Sequence, residues 1–330
     1  MILAGDIGGT STRLGLFAPG QPRPQPVAIR VLTTLDFDGL APLIGSFLAA
    51  QGVESAAIGA VGFGVAGPVI GDVAQLTNVP WRIDARQLAG AFGFAHVRLM
   101  NDLQAMAQAV PVLADDELHT LQRGSAQPDG NIALIAAGTG LGVATLHNIG
   151  GRFVPAASES GHADYAARTE DDIAVLRDLV GRYGRAEVEH VVSGHGLVNI
   201  HRVMHRTPCA AGVDLAAASA PAAISAAALS GRCAGCVKTL GVFVEAYGAE
   251  AGNLALRAMA TGGVYVGGGI APKILPALTT GSFMAAFLAK GAFGALLGAV
   301  PVHVVLNDEA GLLGAAVGAA EAAAAGAGGR

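Results

Sequence analysis

Apolar residues run along this chain in short unbroken stretches, each stopped by glycine, and that pattern sets the first expectations. Residues 2–7 read as a buried strand that turns at Gly8-Gly9-Thr10-Ser11 and returns over 13–17, a hairpin signature. Residues 21–26, with three prolines, read as an exposed loop. Helical spacing follows over 36–52, and 56–65 is a continuous apolar strand that ends at Gly67-Pro68. Residues 69–74 predict a small hairpin turning at Gly71-Asp72. Residues 97–100 predict a strand that stops at Asn101-Asp102, and 103–110 a helix.

The pattern then restarts. Residues 132–137 predict a strand, Gly138-Thr139-Gly140 a tight turn, and 142–146 a returning strand. A strand–glycine turn–strand device thus occurs twice, which suggests two structurally related domains. Helices are expected near 171–183, 197–205, 216–230 and 236–259. A strand over 263–266 leads into Gly267-Gly268-Gly269, another covers 302–306, and 310–325 closes the chain as a helix. Strands alternating with helices make the fold class α/β.

Composition narrows the class. The chain has 330 residues, 52% hydrophobic and 14% charged, enough to bury a full core. A net charge of −5 with no basic stripe argues against a nucleic-acid partner. The start lacks a basic n-region and a cleavage site, so no signal peptide is expected. The most membrane-like stretch, 283–306, is interrupted by Lys290, Pro301 and His303, so no membrane partner is expected either. Cys209, Cys233 and Cys236 make no disulfide framework, which points to a reducing compartment.

Three glycine clusters carry candidate chemistry. Asp6-x-Gly8-Gly9-Thr10 and Gly138-Thr139-Gly140-x-Gly142 can turn bare backbone N–H groups toward phosphate oxygens, and Thr10 and Thr139 add hydroxyls. Gly267-Gly268-Gly269 leaves room for a flat ring against the backbone. Any one cluster can be no more than a turn, but three, each ending an apolar strand, favour a nucleotide site. None matches G-x-x-x-x-G-K-[ST] and no lysine is near, which excludes a P-loop. No G-x-G-x-x-G follows the first strand, which counts against a dinucleotide fold.

Polar groups follow. Asp102, at a strand end, can accept a proton from an attacking hydroxyl or can cap the helix that follows. Glu159-x-Gly161-His162 lies in a small polar loop, and Glu189 precedes a glycine turn. Converging carboxylates, asparagine and histidine can hold adjacent sugar hydroxyls, with a metal ligand or a structural histidine as the alternatives for His162. Cys233-x-x-Cys236 has no second cysteine or histidine pair beside it in sequence, and two packed helical thiols are the default reading.

In this order the motifs resemble the bacterial glucokinase family of proteobacterial type, within the actin-like ATPase and hexokinase superfamily. Matching stretches include Gly5-Asp6-Ile7-Gly8-Gly9-Thr10, Leu76-Thr77-Asn78-x-x-Trp81, Asn101-Asp102 and Gly138-Thr139-Gly140-Leu141-Gly142. Others are Glu159-x-Gly161-His162-x-Asp164, Ser193-Gly194-x-Gly196-Leu197-Val198-Asn199, Gly262-Gly263-Val264, Gly269-Ile270 and Asn307-Asp308-x-x-Gly311-Leu312-Leu313-Gly314. The resemblance implies a duplicated actin-like (ribonuclease H-like) kinase fold, two domains flanking a cleft: 1–109 with 306–330 as a small α/β domain, and 110–305 as a large one. It implies ATP-dependent phosphorylation of D-glucose at the 6-hydroxyl, the first step of glycolysis, by a cytoplasmic homodimer.

On the same resemblance Asp102 is the catalytic base, and Asn78, Asn101, Asp102, Glu159, His162 and Glu189 bind the sugar. Asp6, Gly8, Gly9, Thr10, Gly138, Thr139 and Gly140 hold the phosphates of ATP, and Gly267, Gly268 and Gly269 flank its adenosine. Mg²⁺ accompanies ATP, with Asp6 as its candidate contact and no direct protein cage. Where family members often read Gly-Glu-Gly-Gly-His, this chain has Ser158-Glu159-Ser160-Gly161-His162, whose serines add hydroxyls beside the sugar. The alternatives are a related kinase for another hexose or amino sugar, and a non-catalytic sugar-sensing regulator. The regulator is expected to carry a helix-turn-helix extension, whereas Met1 opens on the first strand.

Overall fold

In a computed structural model that describes residues 1–76, 79–205 and 208–328, the glycine-bounded apolar runs become the central strands of two sheets. The chain forms two compact units, Met1–Ala114 with Asn307–Arg330, and Asp115–Leu306.

The first unit contains β1 (Ile2–Ile7), β2 (Ser11–Ala18), β3 (Gln25–Thr33), α1 (Leu40–Gln51), β4 (Ala60–Val65), β5 (Val69–Ile70), β6 (Val73–Gln75), β7 (Arg82–Asp84), α2 (Ala85–Phe92), β8 (Val97–Asn101) and α3 (Asp102–Ala109). The second contains β9 (Leu118–Gln122), β10 (Ile132–Ala137), β11 (Leu141–Ile149), β12 (Arg152–Ser158), α4 (Glu170–Tyr183), α5 (Gly194–Met204), α6 (Ala220–Leu229), α7 (Ala234–Ala258), β13 (Gly263–Gly267), α8 (Leu275–Leu278), α9 (Ser282–Leu288), α10 (Gly294–Ala299) and β14 (Val302–Val305). The last helix, α11 (Ala310–Gly328), belongs to the first unit.

The two sheets share one plan. The first runs β3-β2-β1-β4-β8, antiparallel through β3, β2 and β1 and parallel through β1, β4 and β8. The second runs β12-β11-β10-β13-β14-β9, with the same antiparallel trio followed by parallel β10, β13 and β14, and with β9 added at the edge. This is the duplication that the repeated hairpin suggested. In the first unit the register pairs Ile7 with Val65 and Val65 with Asn101, so β1, β4 and β8 all end on one edge. In the second, β10 and β13 likewise end together, with Ala136 opposite Gly267.

Apolar burial holds each unit separately. Leu3, Ile7, Leu14, Phe63 and Val65 form the core of the first with α1, while Leu312, Ala315 and Ala316 of α11 cover the other face of β1 and β4. The close approach of α11 to the sheet depends on Gly62, where a methyl group would overlap the Ala315 carbonyl oxygen. The second core gathers Ile135, Val266 and Val304 from the sheet with Val191, Ile200, Phe243 and Tyr247.

Edges and ends differ from expectation. Residues 25–26, expected in a loop, open β3, a half-exposed edge strand with a register shift near Pro26, which is where proline is tolerated in a sheet. Strands β3, β7, β9 and β12 are not among the elements that the sequence predicts; each lies at a sheet edge. The helix expected over 36–52 starts at Leu40 after a turn of 3-10 helix, and that expected over 216–230 starts at Ala220. The helix expected from Cys236 starts at Ala234, with Cys233 as its N-cap. Among the described residues no single helix is long and apolar enough to cross a membrane.

Candidate active site

In the first unit the turn after β1 is tied by hydrogen bonds from the Gly8 N–H to Ser11 O at 3.1 Å and from the Thr34 hydroxyl to Gly8 O at 2.8 Å. Asp6 precedes it, its carboxylate against Gly311 in the first turn of α11. Burial pushes the Asp6 carboxyl above its ordinary range, opposed by the positive charge of Arg13. Arg13 is itself engaged, donating to the Asp308 carbonyl at 2.6 Å. A half-buried carboxylate of this kind fits a hydrated Mg²⁺ ion, which takes one or two carboxylates and otherwise water and phosphate oxygens.

Asn101 and Asp102 stand on the same edge, at the start of α3, and the structure divides their work. Asn101 is the N-cap: its Oδ1 accepts from Leu103 N at 2.8 Å and Gln104 N at 3.4 Å, and Gln104 Oε1 accepts from Asn101 N at 3.2 Å. This is a complete capping box. Asp102 is the first helical residue and its Oδ1 accepts from Leu103 N at 2.9 Å. The helix therefore does not need Asp102 as its cap, the alternative role that the sequence left open for it. Gly64 of β4 lets α3 approach, since a methyl there would stand 2.7 Å from the Ala105 methyl.

In the second unit the two glycine turns come together. Ile270 N donates to Ala137 O at 3.1 Å, and Gly268, at φ 81°, packs where a side chain would overlap that same carbonyl. The buried Tyr247 hydroxyl links the ends of β10 and β13, lying 3.2 Å from both Ala137 N and Gly267 O. Gly138 accepts from Gly194 N at 2.8 Å, which docks the start of α5 on the turn. A cleft of about 780 Å³ opens here, lined by Gly138, Thr139, Leu215, Gly269, Arg202 and Lys273. The expectation that no lysine lies near a glycine cluster is thus corrected. Lys273 follows Gly269 by a turn of 3-10 helix that folds it back to the cleft.

The polar loop is knitted to the same turn. Gly161 packs on Leu141, where a methyl would overlap the carbonyl oxygen, and Glu189 N donates to Gly161 O at 2.9 Å. Glu189 Oε2 accepts from Leu141 N at 2.7 Å, leaving Oε1 for other partners. Glu159 is exposed at the start of a 3-10 turn, Ser160–His162, and Ser158 Oγ accepts from Ser160 N at 3.1 Å. His162 Nδ1 lies 2.8 Å from Glu187 Oε2. Glu187 went unnoticed in the sequence; it lies at a single bridge position leading into a turn, where no local period marks it, and only the fold sets it against His162. Asn78 lies outside the described residues.

The hydrogen bond to Glu187, with the charges of Glu189, Glu187 and Glu159, raises the His162 pKa above its ordinary 6.5, while that hydrogen bond lowers Glu187 below 4.5. A raised histidine contributes stability below 6.5 that is lost as pH climbs through its folded value. A lowered carboxylate contributes stability above 4.5 that is lost as pH falls through its folded value. The pair is therefore strongest between 4.5 and 6.5. By NMR, the His162 ring is expected to titrate above 6.5 and to fall back toward it in Glu187→Gln. An unchanged midpoint in that variant would remove the pair from the account.

A family model described as Glucokinase matches residues 3–322. The chain belongs to the glucokinase family. It is 38% identical to a glucokinase of Nostoc punctiforme, over 97% of this chain and 99% of that one. Among solved structures it is similar to a glucokinase from an Antarctic psychrotroph, 30% identical with a TM-score of 0.84, covering 97% of this chain and 98% of that one. It is also similar in fold to a glucokinase from Balamuthia mandrillaris in complex with glucose, 22% identical with a TM-score of 0.76, covering 97% and 93%. The actin-like kinase fold of the glucokinase family is thus the fold of this chain, and its duplicated sheets are the two halves of that plan.

Proposed function

We propose that this chain transfers the γ-phosphoryl group of ATP to the 6-hydroxyl of D-glucose. The observation that carries the reading is the match to the glucokinase family over residues 3–322. The geometry supports it in both units. The cleft beside the two glycine turns has the size of a cofactor site, and Arg202 and Lys273 give it positive charge. We assign Gly138, Thr139 and Gly140, with Asp6, Gly8, Gly9 and Thr10, to the phosphates, and Gly267, Gly268 and Gly269 to adenosine.

Asp102 is the base. It takes the proton of the 6-hydroxyl as that oxygen bonds to the γ-phosphorus, and the bond from phosphorus to the β-phosphate oxygen breaks to release ADP. Glu159, His162 and Glu189 hold the remaining hydroxyls, with Asn101 and Asn78. His162 donates Nδ1–H to Glu187 and so keeps Nε2 for the sugar, and Glu189 keeps Oε1. Asn101 has its carbonyl oxygen engaged in the cap, which leaves its amide NH₂ to donate. Mg²⁺, bound with ATP and held through Asp6, supplies charge neutralisation on the phosphates. The absence of a disulfide among the three cysteines suits a cytoplasmic enzyme, and the resemblance suggests a homodimer.

A coupled assay with ATP and a panel of hexoses tests the reading. Glucose is expected to give the highest kcat/KM, and excess EDTA to abolish turnover until Mg²⁺ is restored. Preference for mannose or an amino sugar would instead support the kinase of another hexose. Full activity in EDTA would remove the metal and with it the role given to Asp6.

A further inference from the structure

Outside the site just described, the second unit gathers its three cysteines around one histidine. His205 is the C-cap of α5, Cys209 follows it by four residues, and Cys233 and Cys236 stand at the start of α7. Cys209 Sγ lies 3.8 Å from the sulfur of Cys233 and 3.8 Å from that of Cys236, and His205 Nε2 lies 3.0 Å from Cys233 Sγ. Two groups that share Cys209 have their ligand atoms within 4.8 Å of one another, close enough to hold an ion: His201, His205 and Cys209, and Cys209, Cys233 and Cys236. Cys233 and Cys236 are buried, and Cys209 and His205 half-buried.

We propose that His205, Cys209, Cys233 and Cys236 bind one zinc ion as a closed structural site. The spacing of the sulfurs carries the inference. Metal–sulfur bonds of about 2.3 Å in a tetrahedron place neighbouring sulfurs about 3.8 Å apart, the separation found twice here. A disulfide needs about 2.05 Å, so no pair is bonded, and a third thiol would have no place in one. The Cys233-Ala-Gly-Cys236 spacing is that of a zinc knuckle, and Gly235 is what admits the histidine: a methyl there would overlap the His205 ring. Beside that ring lies His201, tilted by 41° with 4.6 Å between centroids, and itself held by Thr239, with Nδ1 3.2 Å from Oγ1. The Cys236 N–H and the His205 ring favour the thiolate of Cys233, the form a metal takes. Burial works the other way at Cys236, so binding displaces thiol protons to solvent as each sulfur ligates.

The ion would tie three places together: the end of α5, the connection that carries Cys209, and the start of α7. That connection runs on to Leu215 and Ala216, which line the cleft beside the glycine turns, and the start of α5 docks on Gly138. The site is therefore a fastening for one wall of that cleft, with all four positions filled by protein and none left for substrate.

Elemental analysis of the full chain, produced without a metal-affinity tag in zinc-supplemented medium, tests this directly. One zinc per chain is expected to survive gel filtration, and the three thiols to resist a thiol reagent until a strong chelator is added. Cobalt exchanged into the chain should show the near-ultraviolet thiolate-to-metal charge-transfer band. Cys209→Ser and the milder His205→Ala should lose the zinc and melt earlier while the ATP-glucose reaction persists. The wild-type measurement does not depend on whether those variants fold. Wild-type protein without stoichiometric zinc whose thiols react freely, or in which two thiols are joined as a disulfide, would overturn the proposal.

Discussion

Asp102→Asn is expected to fold normally, bind glucose and lose at least about 10² in kcat. A carboxylate that takes the proton from the attacking hydroxyl is irreplaceable by an amide, which has no comparable basicity. The same substitution leaves the helix nearly untouched. Asn101 already supplies the cap and the capping box, and an asparagine at 102 keeps an oxygen to accept from Leu103 N. What it gives up is one negative charge in the first turn of α3, worth about 0.3–1 kcal/mol against the helix dipole. Melting temperature and kcat should therefore separate: the first nearly constant, the second collapsed. Turnover close to the native rate would return Asp102 to a structural role at the start of α3.

Gly161→Ala is the second large effect, and it acts through backbone rather than chemistry. The new methyl would occupy the position of the Leu141 carbonyl oxygen, which is main chain and cannot swing aside. Either the 159–162 turn or the end of the 138–140 turn must move. Overpacking of this kind costs about 1–3 kcal/mol. Glu159 and His162 ride on the first turn, and the Leu141 N–H that positions Glu189 belongs to the second. Displacement of such groups by about 1 Å can cost about 10² in rate, so kcat/KM for glucose is expected to fall by that order. Gly45→Ala is the control, since Gly45 lies within α1 with open space at its Cβ and should gain about 0.5–1 kcal/mol at unchanged kcat/KM. A Gly161→Ala enzyme with native kinetics would separate the 159–162 turn from sugar binding.

By itself the amino-acid sequence determined the central strands, the glycine turns and the duplication. A strand buried on both faces must be apolar throughout and must end where the backbone needs glycine, so β1, β4, β10 and β13 announce themselves locally. Edge strands such as β3 and β12 carry no such mark, because water covers part of each face and mixed residues suffice there. Glycine spacing likewise exposed the turns, but not that those at 138 and 267 meet at Ala137, because β10 and β13 are neighbours only through the sheet. The sequence offered Asp102 as the cap of α3, and only the hydrogen bonds give that role to Asn101, since either residue type can fill it. Glu187 gains meaning only opposite His162, and Lys273 only when a 3-10 turn returns it to the cleft. The cysteines show the difference most sharply. In the sequence Cys233-x-x-Cys236 stands alone; in the fold the end of α5 and the start of α7 bring His205 and Cys209 to it, because a ligand set is defined by distance through space rather than along the chain.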